Sequence, residues 1–446
     1  MKDKQTEGKT TVSVEDTKQG GEIYGRWPWV EPEVWTEPML KALEEGVRGG
    51  KWFSLIDKVS SKKALRAAHK KVRSNAGAPG VDNETVEQFE QEAEKNITEM
   101  SEQLKKGTYR PQAVKRTWIP KPGTQEKRPL GIPTVQDRVV QGSLRLVLEP
   151  IFEKEFAEQS YGFRPGRGCK TALRRLSALL NVGYTWVVDA DIKGYFETIP
   201  QEKLMRKVEE RVSDGRVLEL LRLYLKQGVM EGLKHWAPEK GTPQGAVISP
   251  LLSNIYLDEL DHEMVARGNQ MIRYADDFVI LCKSQAEAEQ ALAYVREWME
   301  RAELTLHPEK TRIVDATQKG GFDFLGYHFE RGYRWPRRKS INKFRESIRR
   351  KTTRANGNSL NEIVKEINPV IRGWYEYFKH SIANELENLD SWIRMRLRSI
   401  LRKRHGGKGR GRGWDHFKWP NAYFARLGLF SMTAARALIV QSRRGG

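Results

Sequence analysis

The four residues Tyr274-Ala275-Asp276-Asp277 constrain the fold more than any other part of this chain. They lie between the apolar stretches Met271-Ile272 and Phe278-Val279-Ile280-Leu281, a pattern that predicts two strands joined by a tight turn with both aspartates at its tip. Adjacent carboxylates repel each other unless a cation lies between them, so the pair indicates bound Mg²⁺. The alternative is an ordinary surface turn, because aspartate is common in turns.

A second acidic segment, the β-branched run Trp186–Asp191, favours the metal site. Alternate residues of a strand face the same side, so either Asp189 or Asp191 can meet the hairpin. We favour Asp191, because Phe196 follows it by five residues and can close over the sugar of an incoming nucleotide, excluding a 2′-hydroxyl. Gly194, at the same spacing from Asp189, excludes nothing. Two metal ions held by carboxylates of separate strands can clamp an in-line phosphoryl transfer, which is polymerase chemistry.

From about Trp27 onward, the order of motifs resembles a reverse transcriptase encoded by a bacterial group II intron. The motifs that carry this resemblance are, in chain order, Ala78-Pro79-Gly80-Val81-Asp82, Trp118-Ile119-Pro120-Lys121-Pro122-Gly123, Lys127-Arg128-Pro129-Leu130-Gly131-Ile132-Pro133, Tyr161-Gly162-Phe163-Arg164-Pro165-Gly166, the Asp191 strand, Gly241-Thr242-Pro243-Gln244-Gly245 with Ile248-Ser249-Pro250-Leu251-Leu252, the aspartate hairpin, His307-Pro308-Glu309-Lys310-Thr311 and Phe324-Leu325-Gly326-Tyr327. Each motif alone is weak evidence, whereas all of them in this order are specific.

The resemblance implies an α+β right-hand polymerase fold, in which fingers and a palm with an antiparallel catalytic sheet precede an α-helical thumb and a small basic C-terminal domain. We expect a disordered tail over residues 1–25, fingers and palm with an N-terminal extension over 26–330, the thumb or maturase domain X over 331–405, and a DNA-binding domain over 406–446. Residues 35–110 are expected to be mostly helical, 115–330 mixed, and the chain from 340 onward helical.

The expected catalytic residues are Asp191, Asp276, Asp277 and Lys310, and the three aspartates are the expected metal ligands. Lys310 is either the general acid that protonates leaving pyrophosphate or a phosphate contact. The expected nucleotide-binding residues are Lys121, Arg128, Ile192, Phe196 and Gln244. Lys121 and Arg128 lie on a Pro/Gly-rich connection where their charges suit a triphosphate, solvated loop charge being the alternative. The resemblance implies that Gln244 borders the templating base and the incoming nucleotide.

Charge is concentrated at the C-terminal end of the chain. The net charge is +20, and residues 331–446 hold 28 Lys+Arg against 8 Asp+Glu, whereas residues 1–330 hold 50 of each. Such a block is an electrostatic footprint for phosphates, while a solvated disordered tail is the alternative. The expected nucleic-acid contacts are Arg164, Arg167, Arg372, Arg394, Arg398, Arg402, Lys408, Arg410 and Arg412. Residues 405–413 are expected to form a flexible basic linker.

Taken together, the sequence predicts an RNA-directed DNA polymerase that also binds its intron RNA to promote splicing and retrohoming by target-primed reverse transcription. Two Mg²⁺ ions, with Mn²⁺ as a substitute, are the expected cofactors. The expected partners are intron RNA, an RNA template with a DNA or RNA primer, a DNA target site and deoxynucleoside triphosphates. Two alternatives remain open: a domesticated relative in DNA repair, antiphage defence or CRISPR spacer acquisition, and a non-catalytic RNA-binding splicing cofactor.

Two cysteines, Cys169 and Cys282, are too few for zinc pairs or a disulfide framework. We therefore expect no Cys/His-rich endonuclease domain, as in proteins encoded by group II introns of subclass C. The segment Gly49–Val59 also resembles the proteins of that subclass. No apolar run reaches the roughly 20 residues that a spanning helix needs. The N-terminus lacks the apolar stretch of a secretory signal, so we expect a protein of the bacterial cytoplasm with access to the nucleoid. We expect a monomer or a dimer.

Overall fold

The computed structural model describes residues 23–47, 49–120, 127–232 and 234–444. Lys121 and residues 1–22 of the expected disordered tail lie outside the described residues. Residues 23–25 of that expected tail are instead helical, and Ile23 is buried in the core. The first part of the chain is helical, as expected. Its helices are α1 (Glu37–Glu45), α2 (Ile56–Val59), α3 (Lys62–Asn75), α4 (Val86–Gln91) and α5 (Ala93–Lys106). Local signals set their ends, since Ser61 caps α3, Thr85 forms a capping box on α4, and Gly107 ends α5 in the left-handed conformation.

The middle of the chain mixes helices and strands. Its helices are α6 (Val135–Glu153), α7 (Cys169–Asn181), α8 (Tyr195–Thr198), α9 (Gln201–Glu209), α10 (Gly215–Leu225), α11 (Ser249–Ala266) and α12 (Gln285–Arg301). Its strands are β1 (Val114–Pro120), β2 (Lys127–Ile132), β3 (Trp186–Asp191), β4 (Val229–Glu231), β5 (Lys234–Trp236), β6 (Gln270–Tyr274), β7 (Asp277–Cys282), β8 (Arg312–Asp315), β9 (Phe322–Phe324), β10 (Tyr327–Glu330) and β11 (Tyr333–Pro336). The α+β class is therefore confirmed.

These strands form three sheets, ordered β2-β1-β4-β5, β6-β7-β3-β8 and β11-β10-β9. In the second sheet every pair is antiparallel, as expected of a catalytic sheet. One face of that sheet, with Val188 and Ile280, packs into a large core with the helices of the first two parts. The opposite face, with Val187 and Val279, packs against α7 and the β9–β10 hairpin. Because both faces are covered, the β6–β7 turn is fixed from two sides.

The last part of the chain is helical, as expected. Its helices are α13 (Arg338–Lys351), α14 (Leu360–Phe378), α15 (Ala383–Arg404), α16 (Asp415–Lys418), α17 (Asn421–Arg426) and α18 (Met432–Arg444). One hydrophobic cluster joins the expected thumb to Trp419, Phe424 and Met432 of the expected C-terminal domain. The Asp390 carboxylate of α15 accepts hydrogen bonds from two backbone nitrogens at the start of α18, that of Met432 at 3.2 Å and that of Thr433 at 3.1 Å. The domain boundaries proposed from the sequence remain predictions.

The expectation of a flexible linker over residues 405–413 is wrong. The backbone there folds onto α15: Arg402 donates to the Lys408 carbonyl at 2.8 Å, and the Gly411 nitrogen donates to the Ser399 hydroxyl at 2.9 Å. A Cβ at Gly411 would lie 2.5 Å from that of Arg398, so the close approach requires glycine. Glycine at this position therefore provides contact rather than flexibility.

Among the helices of the described ranges, none has both the length and the apolar character needed to span a bilayer.

Candidate active site

The predicted hairpin is present. Tyr274 of β6 pairs with Asp277 of β7, and Ala275 and Asp276 form the turn between them. Asp276 is therefore at the tip, but Asp277 is the first residue of β7, which corrects the expectation that both lie in the turn. Ala275 has a φ of +60°. This conformation is costly for a residue with a Cβ, so the surroundings must impose it.

A buried arginine imposes it from behind. Arg273 of β6 is fully buried, and its guanidinium donates to the Ala275 carbonyl at 2.9 Å and to the Asn254 side chain at 3.0 Å. Asp261 of α11, also fully buried, accepts from the same guanidinium at 2.8 Å. Every hydrogen bond is thus made by a group without access to water, which fixes the turn against the helix.

Gly162 closes the same turn from another side. A Cβ built there would lie 2.3 Å from the Ala275 nitrogen, so only glycine permits this approach. The Gly162 carbonyl in turn accepts from the Asn254 amide at 2.9 Å. The Tyr161–Gly166 motif is therefore structurally part of the aspartate hairpin.

Strand β3 brings the second acidic segment to this hairpin. Asp191 pairs in register with Asp277, whereas Asp189 lies opposite Val279. Asp189 is an ion-pair partner of Arg312 on β8, with 3.3 Å between side-chain atoms. Of the two candidates that the sequence left open, Asp191 is therefore the one at the turn end of the sheet.

The carboxylates perturb one another. Burial raises the pKa of Asp277 to about 7, and the negative charges of Asp189, Asp276 and Asp191 add to the rise. Burial also raises the pKa of Asp276, and the negative charge of Asp191 adds to this rise. Burial raises the pKa of Asp189 to about 6 in spite of the Arg312 charge. Clustered carboxylates with raised pKa values are typical of a site that binds cations.

Hard oxygen donors in such a cluster fit a divalent cation. Within the described parts of the chain, however, no three or more His, Cys, Asp or Glu side chains are already gathered as a ligand set. Lys310 instead lies against Asp191, with 2.5 Å between its ammonium and the carboxylate. The Lys310 ammonium therefore occupies one side of the carboxylate cluster.

The loop that carries Gln244 packs against the Phe196 segment. The Phe196 carbonyl accepts from the Thr242 nitrogen at 2.7 Å, and the Gln244 carbonyl accepts from Gly131 of β2 at 2.6 Å. Arg128, on the same strand β2, lowers the pKa of Asp276 through its charge. These main-chain bonds place the Gln244 loop against both Phe196 and β2, and β2 carries the Arg128 charge that acts on Asp276.

The predicted nucleotide contact at Ile192 is restricted to its main chain. Its side chain is buried and packs in the core, so a nucleotide can meet only its main chain. Phe163 was missed by the sequence analysis: it has a φ of +60°, is 42% exposed, and its ring centroid lies 6.5 Å from that of Phe196 and 6.4 Å from that of Tyr274. The signal for it is an aromatic residue directly after Gly162, the glycine that packs on the turn.

Comparison with known proteins agrees with this geometry. Residues 119–329 match the family described as "Reverse transcriptase (RNA-dependent DNA polymerase)", and residues 341–419 match "Group II intron, maturase-specific domain". Protein YkfC of Escherichia coli strain K12 is 35% identical over 320 residues, which cover 62% of this chain and 83% of YkfC. The chain belongs to the family of group II intron-encoded reverse transcriptases.

The right-hand polymerase fold and the expected family are thereby confirmed. The group II intron-encoded protein LtrA of Lactococcus lactis subsp. cremoris is 40% identical over 196 residues, 44% of this chain. The chain spans about a third of the length of that relative, 32% being matched. Among solved structures, a chain of a partial Cas6-RT-Cas1–Cas2 complex aligns over 55% of this chain and 41% of its own length, with 25% identity and a TM-score of 0.35. Reverse transcriptases use a divalent metal ion, which agrees with the carboxylate cluster.

The expected nucleic-acid contact at Arg164 is wrong. Its side chain is 2% exposed and lies 2.8 Å from Glu153 in a buried ion pair. It also donates to the Ser160 carbonyl at 2.9 Å. Arg164 therefore holds the loop that carries Gly162, while Arg167, whose side chain is 26% exposed, lies over the Tyr161 ring and donates to a carbonyl.

The expectation that Arg394, Arg398 and Arg402 of α15 contact nucleic acid is also wrong in part. Arg398 is buried, donates to the Trp419 carbonyl at 2.8 Å and to the Asn421 side chain at 2.7 Å, and so holds the C-terminal segment. Arg402 bonds Asp415 at 2.7 Å on the same face, and the Arg394 side chain is 17% exposed. This face therefore points toward the protein. The sequence could not reveal this, because helical spacing gives a face but not what covers it.

The other expected contacts lie at the surface. They are Arg372, Lys408, Arg410 and Arg412.

Proposed function

We propose that this protein is an RNA-directed DNA polymerase that also binds group II intron RNA, promoting splicing and retrohoming by target-primed reverse transcription. The observation that carries the polymerase proposal is the register of Asp191 with Asp277, beside Asp276 at the tip of a braced hairpin. Membership of the reverse transcriptase family supports the same reaction.

Asp191, Asp276 and Asp277 are the residues that would hold the metal, and we propose two Mg²⁺ ions, replaceable by Mn²⁺. The bound ions supply charge stabilisation for the attacking and leaving oxygens. The protein's own part is to hold these carboxylates together at a cost, as the raised pKa values of Asp276 and Asp277 imply, so that cation binding is favoured.

Lys310 brings a proton and a positive charge to the same place. Its ammonium lies at Asp191, within the reach of a phosphate bound to the carboxylate site. This position supports either role proposed from the sequence, protonation of pyrophosphate or contact with a phosphate. Lys310→Arg keeps the charge but cannot release a proton at neutral pH, so it separates the two roles in single-turnover extension.

Arg128, Phe196 and Gln244 would bind the incoming nucleotide. Phe196 follows Gly194, whose φ of +59° turns the chain out of β3, and its carbonyl is tied to the Gln244 loop. An aromatic ring held this way can close over the sugar. Lys121 remains a prediction for the triphosphate, and Ile192 can contribute only through its main chain.

Asp276→Asn and Asp191→Asn test the polymerase proposal. We expect either change to abolish primer extension on an RNA template, because the metal ions lose a ligand. RNA affinity should stay largely intact, because we propose that the RNA phosphates contact basic residues outside this carboxylate cluster. Glu263→Gln on the surface of α11 is a matched control that removes a carboxylate outside the cluster. Full-length cDNA from the Asp276→Asn protein would refute the assignment.

Intron RNA binding is proposed for the exposed basic residues of the thumb, supported by the maturase-specific match over residues 341–419. Arg350 of α13 and Arg372 of α14 are exposed. Reversing both charges should weaken RNA binding and reduce the slope of log affinity against log salt by roughly one per lost phosphate contact. Asp276→Asn should still promote splicing at moderate magnesium. If it lost splicing as completely as polymerisation, the two activities would not be separable and the maturase proposal would fail.

We further propose a bacterial cytoplasmic protein with access to the nucleoid, where template, primer, DNA target and deoxynucleoside triphosphates are found together. Measurement of its mass in solution distinguishes the monomer from the dimer.

A further inference from the structure

Two large aromatic side chains are exposed next to each other at the far end of α15. Trp414 is 82% exposed and Phe417 is 79% exposed, and their ring centroids lie 5.5 Å apart at an interplanar angle of 53°. Exposed aromatic pairs of this kind mark interaction sites more often than single exposed apolar residues do. We call Trp414 and Phe417 the aromatic platform.

The aromatic platform is held in place. Asp415 between its two members is buried and accepts hydrogen bonds from the Arg402 guanidinium at 2.7 Å and from the Arg412 nitrogen at 2.9 Å. The Phe417 nitrogen donates to the Trp414 carbonyl at 3.1 Å. Both rings are thus presented by a backbone anchored to α15, so little conformational freedom is lost when a ligand covers them.

The surroundings of the aromatic platform are cationic. Lys408, Arg410, Arg412 and Lys418 are exposed and lie within six residues of Trp414 in the chain. Asp415 is the sole acidic residue in the sequence from 406 to 419, and its carboxylate is already engaged by Arg402. A ligand must therefore combine flat apolar faces with negative charge.

We propose that the aromatic platform binds unpaired nucleotides of a nucleic-acid strand, with bases stacked on Trp414 and Phe417 and phosphates near the surrounding cations. Only unpaired bases can offer a free face for stacking, because the bases of a duplex are stacked on one another. The site uses none of the carboxylates of the active site. It therefore binds a strand without a metal ion and independently of polymerisation.

Affinity for dT20, rU20 and a blunt 20-base-pair DNA duplex tests this proposal in buffer with EDTA. The Trp414→Ala/Phe417→Ala double variant of the full chain should bind dT20 and rU20 roughly tenfold or more weakly, and the duplex as the unaltered protein does. The slope of log affinity against log salt should stay unchanged, because no cation is removed. Comparison of the dT20 and rU20 arms shows whether DNA or RNA is preferred.

Three controls separate stacking from other effects. Trp414→Phe should retain binding and Trp414→Leu should lose it, because leucine keeps apolar bulk without an aromatic face. Phe53→Ala removes another exposed aromatic side chain, 74% exposed, and should change nothing. Extension of a short annealed primer should proceed normally in the double variant, so failure of this proposal is distinguishable from failure of the polymerase proposal.

Unchanged affinity for both strands would overturn the proposal. So would an equal loss for strand and duplex, which would indicate a damaged phosphate-binding surface. Wild-type binding by Trp414→Leu, or a changed oligomeric state in the double variant, would indicate an apolar protein contact instead.

Discussion

The buried ion pair between Asp261 and Arg273, behind the aspartate hairpin, can be tested by Asp261→Asn. Asparagine has nearly the same shape, so the substitution removes a negative charge without creating a cavity. The Arg273 guanidinium would then remain fully buried without its ion-pair partner. Breaking a buried pair by removing one partner costs about 3–5 kcal/mol. A loss of that size is a large fraction of the roughly 5–15 kcal/mol by which native proteins are stable.

The effect on activity follows from one hydrogen bond. Arg273 donates to the Ala275 carbonyl at 2.9 Å, and Ala275 precedes Asp276. When the guanidinium shifts, the turn and the Asp276 carboxylate shift with it, and a displacement of about 1 Å at a catalytic group can cost about 100-fold in rate. We therefore expect the divalent-ion concentration for half-maximal extension to rise, in addition to the loss of stability.

Urea unfolding and primer extension at several magnesium concentrations measure the two effects. Glu263→Gln is the matched control, because Glu263 lies on the same helix and pairs with Arg301 at 3.0 Å at the surface. Its effect should stay below about 1 kcal/mol. If Asp261→Asn unfolded within about 1 kcal/mol of that control, the interior pair would not hold the hairpin and the argument would be refuted.

Three further outcomes are expected. Phe196→Ala should admit ribonucleotides while retaining deoxynucleotide incorporation, as measured in a competition assay; unchanged discrimination would move sugar selection elsewhere. Burial raises the pKa of Asp258 to about 6, so the folded state holds this proton more tightly than the unfolded chain, and stability falls as pH rises from about 4 to about 6. Asp258→Asn should make this fall smaller without abolishing it, because the raised pKa values of Asp189 and Asp277 act in the same direction. An equal fall in the free energy of unfolding for both proteins, measured by urea unfolding across that pH range, would contradict this expectation. Arg398→Ala should increase proteolysis near Trp419 without changing the salt slope of RNA binding, whereas a reduced slope would return Arg398 to the RNA contacts.

Much of the site was predictable because its signals are local. An apolar run, two aspartates and a second apolar run specify a hairpin, and strand alternation reduces the partner to Asp189 or Asp191. What separates those two is the register with β7 and the Arg312 ion pair, both of which join residues about 90 or more positions apart in the chain. Such pairings are set by tertiary packing.

The arginines show the limit most clearly. Arg164, Arg273 and Arg398 are all buried, and each is satisfied by carbonyls or carboxylates from other elements. Arginine is seldom buried unless it is paired, so the sequence favours a surface position for each. Arg273 lies between apolar residues of strand β6, and this position in the sequence indicates a buried arginine.

Helix α15 takes part in both the thumb cluster and the anchoring of the aromatic platform. Its 22 residues make a rod about 33 Å long. Because Leu386 near one end and Leu401 near the other lie in the same cluster, a rotation of the thumb must carry both ends together. Helix α15 therefore couples the two regions: a strand bound at the aromatic platform, as proposed, would be displaced together with the hydrophobic cluster whenever α15 rotates.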